Sequence, residues 1–295
     1  MTEKSTLRIG CLEAGGTKMV MAVATPEGMI LEREEIPTKD PAITVPAIVQ
    51  WFSERSIDAL GVGAFGPTGV DPNSDTYGWI LETPKTAWRH YDFLGGLSAL
   101  DVPVGYDTDV NAACLGEATY GIAKGLDTVV YITIGTGIGA GVLAGGKLLH
   151  GMLHPEAGHI LLRKRSYDTG ASVCAYHDSC FEGLASGPSI EQRWGAKGFE
   201  LADKAEVWEL ESDYIAEALV DYVMVYSPER IILGGGVMKQ EQLFDLVRNK
   251  FTELLNNYIS TPQVKAVDSY IVPAGCNGDQ GILGCLALGV AALEQ

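Results

Sequence analysis

Three groups of residues in this chain are suited to chemistry. The first is a glycine-rich turn that occurs twice: Gly15-Gly16-Thr17-Lys18 follows the run Ile9–Ala14, and Gly135-Thr136-Gly137 follows Val129–Ile134. Each is followed by another apolar run and predicts strand, tight turn, strand. Glycine permits positive φ and keeps Cβ atoms away from a bound group. Successive N–H groups in such a turn converge on an anion, and the Thr17 and Thr136 hydroxyls are further donors. Two copies, at positions 15 and 135, predict two related halves holding one polyphosphate from opposite sides. Lys18 fits two roles, contact with phosphate or a solvated surface charge.

The second group is Asp107-Thr108-Asp109-Val110-Asn111. Val102–Tyr106 before it reads as a strand, and Ala112–Glu117 after it as the opening of a helix. An acid at a strand-to-helix junction lies where α/β sheets bind ligands. Asp109 there suits a general base taking the proton of a hydroxyl nucleophile in phosphoryl transfer. The same place suits an N-cap aspartate, and Asp107 shares that ambiguity.

The third group is Cys174-x-x-His177-x-x-Cys180 in a Gly-, Ser- and Asp-rich stretch, with His159 upstream. Four such ligands match a tetrahedral zinc site, and a site filled entirely by protein is structural. Two core cysteines and two polar histidines are the competing reading. Glu156 and Glu182 flank the cluster and suit polyol hydroxyls, or are surface carboxylates. Gly234-Gly235-Gly236, after the apolar Ile231-Ile232-Leu233, permits close approach of a flat ring or is a plain strand-to-helix turn.

These groups must be carried by strands and helices in both halves, which implies α/β layers. Residues 58–66 predict a buried strand ending at the turn Gly66-Pro67-Thr68-Gly69, and residues 71–90 a long turn-rich loop. Tyr214 to Tyr226 repeats apolar residues at helical spacing. Residues 240–257 predict a helix, Tyr270–Pro273 a strand, and residues 280–293 a last helix. A chain of 295 residues holds one large or two medium domains. The boundary is expected at residues 117 and 118, giving domains 1–117 and 118–295, with the last helix packing back on the first.

Composition narrows the partners. Thirty-eight acids against 21 Lys and Arg give a net charge of −17, which argues against nucleic acid or an anionic membrane surface. ATP stays compatible, because N–H dipoles and a metal ion offset local repulsion. The uncharged residues 128–146 contain six glycines and three threonines, which suits a hairpin and not a membrane span. The N-terminus lacks a signal-peptide core, and six cysteines without a secreted spacing pattern point to a reducing cytoplasm.

Together these segments resemble the ROK family (repressors, open reading frames, kinases) of the actin/hexokinase/Hsp70-like superfamily. The resemblance runs from Glu13-Ala14-Gly15-Gly16-Thr17-Lys18 to Gly278-Asp279-Gln280-Gly281. It is strongest toward bacterial fructokinases, through Glu13 where glucokinases usually have Asp, the segment Tyr77 to Trp88, and His154-Pro155-Glu156-Ala157-Gly158-His159. It implies two ribonuclease-H-like, actin-like ATPase domains with a cleft between them.

The resemblance also implies roles. Asp109 matches the catalytic base. Gly15, Gly16, Thr17 and Lys18, with Gly135, Thr136, Gly137, Gly234 and Gly235, match the ATP and phosphate positions. Gly66, Thr108, Asp109, Glu156, His159 and Glu182 match sugar positions, and His159 with Cys174, His177 and Cys180 the zinc site. The usual zinc loop, Cys-x-Cys-Gly-x-x-Gly-Cys-x-Glu, is here Cys174-Ala175-Tyr176-His177-Asp178-Ser179-Cys180-Phe181-Glu182, with a histidine replacing one cysteine. Thr108 stands where glucokinases place Asn, which alters the glucose contacts and favours another hexose.

The implied reaction is transfer of a phosphoryl group from MgATP to a hexose, fructose before mannose or glucose, by a cytoplasmic homodimer with structural Zn²⁺. The non-enzyme rival is a sugar-sensing regulator of the same family. Such regulators carry a helix-turn-helix domain, which the roughly eight residues before the first strand cannot form.

Overall fold

The computed structural model describes residues 7–294. The chain divides into two compact units. One takes the chain up to Gly125, Leu148–His154, and the chain from Gly275 onward; the other takes Leu126–Lys147 and Pro155–Ala274.

The first unit is built on strands β1 (Ile9–Ala14), β2 (Lys18–Ala24), β3 (Ile30–Pro37), β4 (Ala59–Ala64) and β7 (Val104–Thr108), in the order β3-β2-β1-β4-β7. β1, β2 and β3 form an antiparallel meander, and β4 and β7 join in parallel. The short pair β5 (Trp79–Ile80) and β6 (Tyr91–Asp92) lies in the turn-rich segment. Helices α1 (Pro41–Ser53), α2 (Phe93–Leu97) and α3 (Asp109–Thr119) follow β3, β6 and β7. Alternate residues of β1 enter two cores: Leu12 and Ala14 pack with Ile48, Phe52, Val62 and Trp88, while Ile9 and Cys11 pack with Ala112, Ile282 and Leu286. Covering both faces explains why β4 and β2 from Met19 read as continuous apolar runs, and β1 as one interrupted only by Glu13. The edge strand β3 carries Glu32, Arg33, Glu34 and Glu35 on its exposed residues.

The second unit repeats this plan. Strands β8 (Val129–Ile134), β9 (Ile138–Ala144), β10 (Lys147–Leu148), β11 (Arg230–Gly234) and β12 (Ile271–Pro273) lie in the order β10-β9-β8-β11-β12. β8 and β9 are antiparallel, and β11 and β12 run parallel to β8. The sheet order and the position of the glycine turn, between the first two strands, match those of the first unit. Residues 128–146 thus form a sheet hairpin, and no helix among the described residues is long and apolar enough to cross a membrane.

Helices α4 (Phe181–Ala185), α5 (Gly187–Trp194), α6 (Ala205–Tyr226), α7 (Gln242–Leu255), α8 (Pro262–Lys265) and α9 (Val267–Tyr270) complete the second unit. The last helix, α10 (Gln280–Ala292), packs in the first unit against α3, β4 and β1. Glu117, fully buried on α3, fixes the returning chain by accepting the N–H groups of Gly275 and Cys276 at 2.8 and 3.1 Å.

Candidate active site

The first glycine turn is closed by a hydrogen bond from the Gly15 N–H to the Lys18 carbonyl at 3.0 Å. The second is closed from the Gly135 N–H to the Gly137 carbonyl at 2.9 Å. Gly15 and Gly135 therefore do not offer their N–H groups to a ligand. The N–H groups of Gly16, Thr17, Thr136 and Gly137 have no acceptor among the described residues, and Thr17 and Thr136 are exposed. None of the four glycines takes a positive φ, contrary to the expectation from the sequence. At Gly15 and Gly137 space is what excludes a side chain. A Cβ at Gly15 would lie 2.8 Å from the Lys18 carbonyl oxygen, and one at Gly137 would lie 2.8 Å from Glu182 Oε2.

Lys18 points away from this chemistry. Its Nζ pairs with Glu35 Oε2 at 2.8 Å, and its side chain is 55% exposed. The lysine beside the first turn is Lys85, whose Cε would meet a Gly16 Cβ at 3.2 Å. In the second unit Gly235 adopts φ +90°, and a Cβ there would lie 2.3 Å from the Ile134 carbonyl oxygen. Gly234-Gly235-Gly236 is thereby set against the end of β8, beside the second glycine turn.

Asp109 is the first residue of α3 and half-buried. The cap is Thr108, whose Oγ1 accepts the Asn111 N–H at 3.1 Å. The N-cap reading of Asp109 is thus replaced: the cap is filled one residue earlier, and the Asp109 carboxylate turns its Oδ1 toward the Val110 N–H at 2.8 Å. Thr108 itself is buried, with its hydroxyl engaged in the helix start. Asp107 is buried and accepts from the Thr108 N–H and Asn111 Nδ2, both at 2.7 Å. His150 Nε2 lies 2.8 Å from its other oxygen. Gly66 has the His154 ring beside it, 3.4 Å from a Cβ position to Nε2.

In the second unit the four soft ligands converge. The ligand atoms of His159, Cys174, His177 and Cys180 all lie within 4.8 Å of one another. Cys180 Sγ is 3.5 Å from His159 Nδ1, and Cys174 Sγ is 3.5 Å from His177 Nδ1 and 3.9 Å from His159 Nδ1. A tetrahedral zinc with Zn–S of about 2.3 Å and Zn–N of about 2.0 Å sets its S···N edges at about 3.5 Å. The donor set and spacing therefore fit zinc. The main-chain N–H groups of Tyr176 and Gly183 lie 3.5 and 3.3 Å from Cys174 Sγ and Cys180 Sγ, which suits thiolate ligands.

Local structure explains the convergence. The Phe181 N–H donates to the Ile160 carbonyl at 2.9 Å, which sets His159 beside Cys180. The Tyr222 hydroxyl, buried on α6, donates to the Ala157 carbonyl at 2.7 Å and anchors the turn that carries His159. His159 Nδ1 faces the cluster while Nε2 lies 3.8 Å from Glu182 Oε1. Glu182, in the first turn of α4, accepts the Ile138 N–H through Oε2 at 2.9 Å. Glu156 is exposed, one turn before His159.

Sequence reasoning gave no role to Lys85, Asn111 and His154, which it met only inside longer motifs, and passed over His150. A signal existed: four of the five histidines fall within residues 150–177.

The ROK family profile matches residues 9–291. A fructokinase of Pediococcus pentosaceus is 44% identical over 288 residues, spanning 97% of this chain and 99% of its own. One of Streptococcus mutans is 42% identical over 286 residues, spanning 95% and 96%. The ROK family glucokinase of Streptomyces griseus, solved with glucose and AMPPNP, superimposes with a TM-score of 0.73 at 25% identity, covering 96% of this chain and 99% of its own. The fold is thus the actin-like ATPase fold of ROK sugar kinases. With a match reaching from β1 to α10 and relatives above 40% identical along nearly their whole length, the chain belongs to the ROK family.

Proposed function

We propose that this chain is an ATP-dependent fructokinase, transferring the γ-phosphoryl group of ATP to the 6-hydroxyl of fructose. The observation that carries this reading is the close, full-length likeness to fructokinases. It is supported by an aspartate at the opening of α3 and by two turns whose outer N–H groups are free of internal bonds.

Asp109 orients the 6-hydroxyl and takes its proton as the new P–O bond forms. The N–H groups of Gly16 and Thr17, and of Thr136 and Gly137, bind phosphate oxygens, and Gly234-Gly235 admits the nucleotide base. Lys85, not Lys18, is the cation the first turn has beside it, because Lys18 is paired with Glu35. Mg²⁺ bound with ATP would supply charge neutralisation to the phosphates. Glu156, His159 and Glu182 bind the remaining sugar hydroxyls, whereas Thr108, buried with its hydroxyl on the Asn111 N–H, shapes the start of α3 beside Asp109 instead of meeting the sugar.

Zinc held by His159, Cys174, His177 and Cys180 has no open position and is structural. Its role is to fix the ring of His159, so that Nε2 stays on the Glu182 side. The same reading carries a cytoplasmic homodimer; sedimentation at several protein concentrations in an analytical ultracentrifuge would test the dimer.

Initial rates with MgATP and fructose, mannose or glucose test the substrate. Fructose should give the highest kcat/KM. Equal or higher values with mannose or glucose would make the protein a broad hexokinase.

A further inference from the structure

Asp107 lies on β7 two residues before Asp109 and is 3% exposed. Its Oδ1 accepts from the Thr108 N–H and from Asn111 Nδ2, and its Oδ2 faces His150 Nε2. A carboxylate only accepts, so the proton of the His150 ring sits on Nε2, and the amide of Asn111 turns its nitrogen side to Asp107. His150 is the sole partner of Oδ2 among the described residues.

His150 comes from Leu148–His154, which belongs to the first unit although the chain on either side belongs to the second. This run is fixed at two points. His150 holds the β7–α3 turn, and the buried His154 packs at Gly66.

We propose that His150 is a positioning residue for phosphoryl transfer, holding Asp109 in place by closing the Asp107–Asn111 turn. The inference rests on the reading of Asp109 as the base. Without His150, a buried carboxylate oxygen has no partner and must draw in water or a proton. Either event weakens the Asn111 bond and lets the first turn of α3, which carries Asp109, relax. His150 touches no reacting atom in this role.

The hydrogen bond to Asp107 raises the His150 pKa above its ordinary value, against a smaller opposing effect of burial. Asp107 is the titratable group facing His150. Tyr77 and Tyr106, also near Asp107, are phenols that burial keeps neutral. The charge-assisted bond is thus complete at low pH and weakens as pH rises through the raised pKa.

The test compares wild type, His150→Ala and His150→Gln as full-length proteins, measuring kcat and both KM values across neutral pH. His150→Ala should lower kcat about 100-fold, the scale of a small misplacement of a reacting group, and leave KM for ATP unchanged. In His150→Gln an amide N–H replaces the Nε2–H. It should restore most of kcat but lose the wild-type decline of kcat as pH rises. Wild-type kcat in His150→Ala, or an unaltered pH profile in His150→Gln, overturns the proposal. An NMR titration of the His150 ring needs no activity. Its pKa should fall in Asp107→Asn, and an unchanged value also overturns the proposal. A wild-type protein that phosphorylates no hexose, yet shows the His150 shift, overturns the kinase reading instead.

Discussion

Glu182 accepts the main-chain N–H of Ile138 at 2.9 Å, so the carboxylate beside the Cys/His cluster also ends the second glycine turn. Its other oxygen faces His159 Nε2. The Cys/His cluster and the second glycine turn are therefore tied through one side chain. Elemental analysis of chelator-free protein should find about one zinc per chain, as a four-ligand site requires. Cys180→Ser or exhaustive chelation should remove it, lower Tm, and raise KM for fructose more than KM for ATP. A metal-free protein with unaltered kinetics would dismiss the site.

The glycine turns make a graded prediction. Gly15→Ala drives a methyl against the Lys18 carbonyl, which is main chain and cannot yield without reshaping the turn. Gly137→Ala meets the Glu182 carboxylate, which must shift and so strains its bond to the Ile138 N–H. Gly16→Ala meets only the end of the Lys85 side chain, which is flexible. KM for ATP should rise strongly in Gly15→Ala and least in Gly16→Ala, and KM for fructose should rise in Gly137→Ala alone. Equal effects in all three variants would contradict the geometry.

Asp109→Asn keeps size and removes the carboxylate proposed as the base. Because Thr108 and not Asp109 caps α3, the helix start should survive the change. We expect kcat to fall by about 10²–10⁴-fold, the usual contribution of a positioned base, with Tm and the fructose dissociation constant near wild type. Calorimetric binding alongside kinetics checks this. A variant that turns over normally would refute the assignment of the base.

Much of this architecture is legible in the sequence because the central strands are buried along most of their length, so β2 from Met19, β4, β8 and β11 from Ile231 appear as largely apolar runs, and β1 as one interrupted by Glu13. The strand-to-helix junction at Asp109 and the Cys/His spacing are local signals and read directly. Longer-range pairings leave no such trace. Lys18 adjoins the glycine turn in sequence, yet its partner Glu35 sits across the β2–β3 hairpin. Lys85 reaches the same turn from a segment that looks like plain loop. His150 meets Asp107 across 43 residues, and only the fold pairs them. The glycines were legible as glycines, but at Gly15 and Gly137 the reason is crowding, by the Lys18 carbonyl and by Glu182, and not the backbone angle that the turn pattern suggests.

A buried network away from the glycine turns governs stability and gives opposite pH dependences in two variants. Asp168 accepts from Arg193 at 2.9 and 3.1 Å and from the Tyr214 hydroxyl at 2.6 Å, with the Asp168 side chain 0% and Arg193 6% exposed. Burial pushes the Asp168 carboxyl up, but the bonds from Tyr214, the Gly170 N–H and Arg193 together hold it below the usual range. Its contribution is therefore present above the unfolded pKa and fades as pH falls through the folded one. Arg193→Met leaves that buried charge without its counter-ion, held only by Tyr214 and the Gly170 N–H, and should cost about 3–5 kcal/mol. Glu211, nearby on α6, is the reverse case. It is 1% exposed, its Oε1 has no hydrogen-bond partner among the described residues, and burial raises its carboxyl well above the ordinary value. Ionising it opposes folding, so stability declines as pH climbs through that raised pKa. Glu211→Gln should gain Tm over wild type as pH increases, whereas Asp168→Asn should lose Tm at neutral pH and approach wild type in acid. Thermal melts of the three proteins against pH measure both slopes, and parallel curves would show that neither carboxyl is set by this network.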